Sequence, residues 1–443
     1  MNIKNNDKTV TKMDGIRPKP HAIGSPKQPV TGAPGLKVIL PWNDLNLAIK
    51  QAVLAAAVGN SWRDSLKIVA DHAGVRFEAS EGGLSSMYLL KAVGDVRIVQ
   101  PGEACVSYGA IKQACSKMQK GRDVSLAYAP KVADGAVSTK GMVDSRHNLT
   151  YGAMEVASVG DGGATVCCRI ESYPDPHFVR AEYPDVSNLC VELKGRATAI
   201  KEACGLARTA IDQSTIREVF RKLVISCTRR DISFVGSDGK RCAIANRSRS
   251  AFDEVTKAKT TILIDAKCLM SVLRTIPNEK FFTLATDRKS QHVYLYCGTA
   301  RYRFSCPCWD KKVKYPNFGQ LLKLPLGTVF LADRKELAAA LKVLLLVHGS
   351  MCAFSFSNNG SVVVSAKGID VVGEARATVR CRLTAGAALK KPLVHLNLRY
   401  LLDCVSMLNA DNVKLSFACD EMRVKIEDET NPKFRYFMQV VHL

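Results

Sequence analysis

Apolar residues return at helical spacing again and again along this chain. After Val106, the residues Ile111, Ala114, Cys115 and Met118 stand at i, i+3, i+4 and i+7, which predicts a helix with one buried face. Lys120-Gly121-Arg122-Asp123 ends it, and Val124-Ser125-Leu126-Ala127-Tyr128 reads as a strand. The plan recurs from Asp265, with Leu269, Val272, Leu273 and Ile276 on the face, Pro277-Asn278 as the break and Phe281-Phe282-Thr283-Leu284 as the strand. It recurs again from Asn397, with Leu398, Leu401, Leu402 and Val405, a break at Asn409 and Asp411, and a strand over 413–417.

Each of these helices has an earlier partner, starting near Asn43, Arg196 and Asp333. The second partner carries Ile200, Ala203, Cys204 and Ala207 on one side, and the third carries Leu337, Ala340, Leu341 and Leu344. About 65 residues separate the two helices of each pair. Short alternating strands such as Asp231 to Val235 and Ser361 to Ser365 fill the gap. The pattern therefore predicts an α+β fold made of three copies of a two-helix, many-strand module. The copies span 37–185, 186–322 and 323–443, after a basic, Pro-rich arm over 1–36 that is expected to be disordered. The first copy is the longest, with a Gly-rich insertion expected around Gly152 to Thr165, within 130–170.

With 443 residues, three domains of about 150 residues each are affordable. No apolar run approaches the ~18 residues of a membrane span, since Val343 to Val347 is short and follows Lys342. The first 37 residues lack the apolar stretch of a secretion signal, so a cytoplasmic, nucleoid-associated protein is expected. Sixteen cysteines are scattered, several of them at apolar positions (Cys115, Cys204, Cys268, Cys404), and read as reduced, buried thiols. The Cys306/Cys308 pair and the adjacent Cys167 and Cys168 lack the second ligand pair that zinc needs, so no metal is expected.

Net charge changes the picture. Lys and Arg number 63 against 41 Asp and Glu, a balance of +22, and the natural partner of such a surface is a polyanion. On the predicted helices, Lys50, Lys112, Lys117, Lys201, Arg208, Lys267, Arg274, Arg334, Lys342 and Arg399 lie opposite the apolar stripes. On one helix this pattern describes a solvated face. On six helices it points equally to a shared surface facing phosphates, whose contacts are sequence-blind and salt-sensitive. The N-terminal arm is either an inert tail or a further strap for DNA or a partner.

Catalytic signatures do not support an enzyme. Gly239-Lys240 hints at a phosphate loop, but Phe234 and Arg241 stand where a second glycine and Ser or Thr are required. HExxH and GxSxG motifs are missing, and so is a dense carboxylate cluster for two-metal chemistry. Asp238 before Gly239 reads as a turn residue. No cofactor is implied.

Five segments, in order along the chain, resemble the bacterial beta sliding clamps, the ring-forming tethers of replicative DNA polymerase. Ala181-Glu182-Tyr183-Pro184-Asp185 is similar to the segment closing that family's first domain. Ser237-Asp238-Gly239-Lys240-Arg241-Cys242-Ala243-Ile244 resembles T-D-G-H-R-L-A-V of the middle domain, and Tyr315-Pro316-Asn317-Phe318 resembles its closing F-P-D-Y. Asn397-Leu398-Arg399-Tyr400-Leu401-Leu402-Asp403 resembles N-V-x-Y-L-L-D of the third domain, and the final eight residues resemble Y-V-V-M-P-M-R-L. Coverage runs from about Leu36 to Leu443 and is weakest in the first domain.

The resemblance implies a head-to-tail homodimer whose six modules close a ring, with helices lining the hole and antiparallel sheets outside. It implies a non-catalytic processivity factor with double-stranded DNA, a replicative polymerase, a clamp loader and other proteins bearing clamp-binding motifs as partners. The alternative is a clamp-like basic scaffold or regulator that does not close. Position by position, a partner-peptide pocket would include Arg217, Phe220, Ser237, Gly239, Lys240, Arg241, Cys242, Pro316, Gln320, Leu321, Asn397, Tyr400, Arg423, Phe437, Gln439, Val440, Val441 and Leu443. Core packing is the competing reading for Phe220, Leu321 and Phe437. DNA contacts would come from the helix-face cations, from Arg63 after the first helix, and from Arg217, Arg221 and Lys222 in the middle domain. Departures from the family pattern are Lys240 for His, Cys242 for Leu, Gln439 and Val440 for Met and Pro, and His442 for Arg. They imply a different peptide preference. The overall +22 also departs from a family that is usually acidic.

Overall fold

A computed structural model describes residues 35–443 except 53, 55–64, 82–83, 131–151, 160–164, 173–180, 257–258, 288–291, 306–314, 316–317, 348–349, 358–359, 369–372, 388, 390–392 and 442–443. The expected arm (but for its last two residues), Arg63, the Cys306/Cys308 pair, Pro316, His442 and Leu443 lie outside the described residues.

The first set of elements is β1 (Leu36–Pro41), α1 (Trp42–Ala52), β2 (Ser65–Asp71), β3 (Gly74–Glu81), β4 (Leu84–Lys91), β5 (Arg97–Gln100), β6 (Gly102–Ser107), α2 (Tyr108–Lys117), β7 (Asp123–Pro130), β8 (Gly152–Val159) and β9 (Thr165–Ser172). The second is β10 (Cys190–Arg196), α3 (Ala197–Arg208), β11 (Lys222–Cys227), β12 (Asp231–Ser237), β13 (Arg241–Ser248), β14 (Glu254–Val255), β15 (Thr260–Asp265), α4 (Ala266–Thr275), β16 (Phe281–Asp287), β17 (His292–Cys297) and β18 (Ala300–Ser305). After the short α5 (Gly319–Leu322) come β19 (Leu326–Asp333), α6 (Arg334–Leu344), β20 (Met351–Phe356), β21 (Ser361–Lys367), β22 (Glu374–Ala385), β23 (Leu393–Asn397), α7 (Leu398–Val405), β24 (Asn412–Ala418), β25 (Arg423–Asp428) and β26 (Phe434–Gln439).

Strand for strand, the three sets are equivalent. One antiparallel sheet of each set is β1-β7-β8-β9, β10-β16-β17-β18 or β19-β24-β25-β26. The other is β6-β2-β3-β4, β15-β11-β12-β13 or β23-β20-β21-β22. Even the short bridging strands match, with β5 on β1, β14 on β10 and the tail of β22 on β19. The sets are then joined edge to edge. β4 pairs with β18, from Leu84↔Phe304 to Tyr88↔Ala300, and β13 pairs with β26, from Arg241↔Met438 to Ala245↔Phe434. The fold is thus α+β, with antiparallel sheets and few helices.

Four of the helices begin where a strand runs directly into a capping residue. Ser107, Asp265, Asp333 and Asn397 each accept a hydrogen bond from the amide three residues on, which satisfies one of the first-turn donors. The helices pack in pairs, α1 with α2, α3 with α4 and α6 with α7. Their predicted apolar faces are buried, Ile200, Cys204, Leu269, Val272, Leu341 and Leu401 completely, and of these faces only Leu402 is left half-buried. Cys115, Cys204, Cys268 and Cys404 lie in the core, where burial pushes the thiols above their ordinary range. No helix among the described residues is long and apolar enough to cross a membrane.

One expectation is corrected. Gly152 to Val159 is not an insertion but β8, paired on both sides with β7 and β9. Gly152 abuts the Tyr128 ring so closely that a Cβ would stand 2.4 Å from it, so the glycine serves a strand contact. The extra length of the first set falls within 131–151, between β7 and β8.

Candidate functional site

A cleft of about 400 Å³ opens where β13 meets β26. Its base begins with the β12–β13 turn. Asp238 Oδ1 accepts the amides of Lys240 (2.9 Å) and Arg241 (3.0 Å), and Ser237 Oγ donates to the Arg241 carbonyl at 2.7 Å while accepting the Gly239 amide at 3.1 Å. Gly239 takes φ +91°, a left-handed conformation that favours glycine. A Cβ there would stand 3.2 Å from the Phe220 ring, which arrives on a 3-10 turn over Glu218–Arg221. This turn buries Ser237 and projects Lys240 into solvent.

The apolar floor belongs to a small cluster separate from the main core. Val224, Val235, Cys242, Ile244 and Phe437 are buried together, and Leu263, Tyr315, Phe318 and Leu321 pack against them. Tyr315 and Phe318 approach to 5.1 Å between ring centroids, and the Tyr315 hydroxyl donates to the Lys222 carbonyl at 3.4 Å. Burial pushes the Cys242 thiol and the Tyr315 phenol well up. Cys242 therefore lines the cleft as a protonated, apolar group and not as a nucleophile.

Arg241 ties the two sides of the cleft together. Its Nε is 2.9 Å from Asp238 Oδ2, and its Nη1 is 3.0 Å from Asp403 Oδ2 and 3.4 Å from the Tyr436 hydroxyl. The guanidinium lies 3.9 Å from the centroid of the Tyr400 ring, a stacked cation–π contact. Burial disfavours this cation, but Tyr436, Asp403 and Asp238 outweigh it and hold the pKa above the ordinary guanidinium value.

Of the residues expected in a partner pocket, Arg217, Phe220, Ser237, Gly239, Lys240, Arg241, Cys242, Gln320, Leu321, Arg423, Phe437 and Gln439 line this one cleft. The others described do not. Asn397 is the N-cap of α7, its side chain committed to the Tyr400 amide at 3.0 Å. Tyr400 acts from behind, through Arg241. Val440 is buried with its amide on the Met422 carbonyl, and the Val441 amide donates to His395. Phe318, Leu324 and Met438 line the cleft and were missed. Phe318 stands three residues before Leu321 in a segment already singled out, and Met438 lies between two chosen positions, opposite Arg241.

The cations expected to face DNA divide into two groups. Lys112, Lys117, Lys267, Arg274, Lys342 and Arg399 are exposed on helices, and Arg217 is exposed in its loop. Arg208 is half-buried, and burial together with Arg274 pushes it below the usual guanidinium value, so these cations of α3 and α4 are neighbours. The remaining cations have partners within the chain. Lys222 is buried with its ammonium 3.1 Å from Glu218. Arg221 donates to the Thr215 carbonyl at 2.8 Å, and Arg334 donates to the Ala410 carbonyl at 2.6 Å. Lys201 joins α3 to the end of α4 through the Ile276 carbonyl and Asn278.

No protein-family model matches the sequence, and no curated protein matches it either. Solved structures do match. The sliding clamp of Bacillus subtilis has a TM-score of 0.75 at 14% identity, covering 92% of this chain and 99% of that one. The beta sliding clamp of C. crescentus has 0.75 at 14%, covering 93% and 100%. The Pseudomonas aeruginosa DnaN sliding clamp (DNA polymerase III subunit beta), solved with bound griselimycin, has 0.72 at 13%, covering 92% and 100%. Despite the low identity, the chain has the fold of the bacterial beta sliding clamps over nearly its whole length.

Proposed function

We propose that this chain is a non-catalytic DNA sliding clamp: two copies close a ring around duplex DNA and tether a replicative polymerase and other clamp-binding proteins. Its modules would span 37–185, 186–322 and 323–443, and its place would be the cytoplasm, on the nucleoid. The observation that carries this reading is the way the sets are joined. The last strand of the second set, β18, pairs with β4 of the first, and the last strand of the third, β26, pairs with β13 of the second. In that series β22 of the third set is the next acceptor, and β9 of the first set is the strand that would fill it. Among the described residues, β22 has β21 and β19 as neighbours, and β9 has β8 plus one pairing to β6. A head-to-tail pair of chains would join β9 to β22 twice and leave neither edge open.

Apolar exposure supports this junction. Val343 and Leu346, at the end of α6 and just after it, are 50% and 76% exposed, and α6 packs on β22. Val166 on β9 is 43% exposed. Closure would cover such side chains. The exposed helix cations would face phosphates, and their sequence-blind contacts would permit sliding while the ring prevents escape. The cleft at the β13–β26 join would take a short partner peptide with apolar anchors; its size is that of a ligand pocket. A clamp loader would be needed to open the ring on DNA without ends.

An open, basic DNA-binding scaffold is the other reading, and the net charge of +22 favours it. Sedimentation at moderate salt with particle images decides between them. A ring-shaped species of about 97 kDa, twice the 48.3 kDa chain, supports the clamp. A monomer without rings, with or without DNA, supports the scaffold.

A further inference from the structure

The cleft at the β13–β26 join is apolar at its floor and cationic at its edge. Lys240, Gln439 and Arg423 follow one another across the join: Lys240 is the turn residue just before β13, the amide of Gln439 on β26 bonds its carbonyl at 3.2 Å, and Gln439 is the register partner of Arg423 on β25. Residues directly opposite in antiparallel strands point to the same face, so Gln439 and Arg423 share one side of the sheet, and Lys240 lines the same cleft. At about 4.8 Å per strand, Lys240 and Arg423 stand about 10 Å apart at their Cα atoms, the span of three residues of extended peptide. Arg217, at the start of the turn that carries Phe220, adds a third exposed cation.

The carboxylates near this row do not neutralise it. None of the described lining residues is acidic. Asp238 and Asp403 are spent on Arg241, the buried cation behind the cleft. Asp420 is 3.8 Å from Arg423 with both side chains about half exposed, a loose pair of small worth. Asp212 feels Lys240 at longer range, but its Oδ1 is taken by the Ser214 amide and hydroxyl at 2.8 and 2.6 Å. Among the described residues no ion pair engages Lys240 or Arg217.

We infer that the peptide bound here is acidic: carboxylates flank its apolar anchors and are read by Lys240, Arg423 and Arg217. The inference rests on reading the cleft as a partner-peptide site and adds the chemistry of the partner. Apolar anchors set the depth of insertion in Phe220, Cys242, Leu321 and Phe437. The carboxylates set register and the rate of encounter, as charge complementarity does at exposed rims.

A peptide array tests this with the full-length chain. Decapeptides scan leucine and phenylalanine anchors through all positions, each in an aspartate-flanked and an asparagine-flanked version. Hits are then measured by fluorescence anisotropy at low and high salt. Aspartate versions are expected to bind about ten-fold more tightly at low salt, an advantage that shrinks as salt screens the exposed pairs. The Lys240→Gln/Arg423→Gln protein should lose most of that advantage, its affinities for the aspartate and asparagine versions becoming nearly equal. Equal binding of both versions overturns the acidic preference and leaves the peptide site standing. Binding of neither version removes the peptide site and this inference with it. If the double variant keeps the aspartate preference and loses duplex affinity instead, these cations serve DNA and the inference is wrong.

Discussion

Replacing Arg241 with methionine should loosen the join between the second and third sets of strands. The Arg241 side chain is only 7% exposed and that of Asp238 only 4%. Methionine keeps the volume and removes the charge. Stripping one partner from a buried ion pair generally costs about 3–5 kcal/mol. Asp238 Oδ1 keeps its two amides, which places this loss near the low end, about 3 kcal/mol. Asp403 is 45% exposed, so its pair adds under about 1 kcal/mol after screening. The contact over Tyr400 adds about 1 kcal/mol. A total of about 4 kcal/mol is expected, set against under about 1 kcal/mol for Asp403→Asn. The assay is urea unfolding of both variants, followed by hydrogen exchange at the β13 and β26 amides that pair across the join. The Arg241→Met midpoint should fall by more than about 1 M, with protection lost first along β13–β26. If both variants shift the midpoint equally little, Arg241 is not the tie that its geometry indicates.

Other outcomes follow from the same geometry. Gly239→Ala combines a strained positive φ with crowding against Phe220 and should cost about 1–2 kcal/mol of stability and weaken peptide binding; calorimetry and anisotropy read the two effects. Asp428 accepts the amides of Asn409, Ala410, Thr430 and Asn431 and the Thr430 hydroxyl; burial works against its ionised form, but these bonds outweigh it and hold its pKa below the ordinary value. Its contribution is therefore present above the unfolded carboxylate pKa and lost as pH falls through the depressed folded value, so Asp428→Asn should flatten the acid limb of the stability–pH curve. Changing Lys112, Lys117, Lys342 and Arg399 together to glutamine should lower the slope of log affinity against log salt by about three to four if each meets a phosphate; an unchanged slope removes these residues from the DNA surface. Leu346→Asp should convert the two-chain species to monomer in sedimentation and leave circular dichroism unchanged.

Much of the architecture was legible because the helices obey one rule. The spacing of Leu269, Val272 and Leu273, or of Leu337, Ala340 and Leu341, sets a buried face whatever surrounds it, and Ser107, Asp265, Asp333 and Asn397 mark where helices start. The first set was harder. Gly152 looked like loop composition, yet it is a strand residue selected by the bulk of Tyr128 across the sheet, a neighbour that lies outside any local window. The cleft was legible through motif order, but the role of each side chain was not. Asn397 and Tyr400 belong to a family-like segment just as Ser237 to Cys242 do, and only the third dimension turns one into a helix cap and the other into the platform beneath Arg241. Likewise Lys222 and Lys112 are both lysines near a helix or turn, and burial beside Glu218 separates the first from the exposed second.

Ring closure is the central claim, and topological retention on DNA tests it most directly. The protein is threaded onto linear duplex with biotin at both ends, the ends are capped with streptavidin, and salt is raised to about 0.5 M, where exposed charge contacts are screened. A closed ring predicts that capped DNA keeps the protein and uncapped DNA releases it. Equal release from both would contradict the account and leave a basic protein that binds DNA without encircling it.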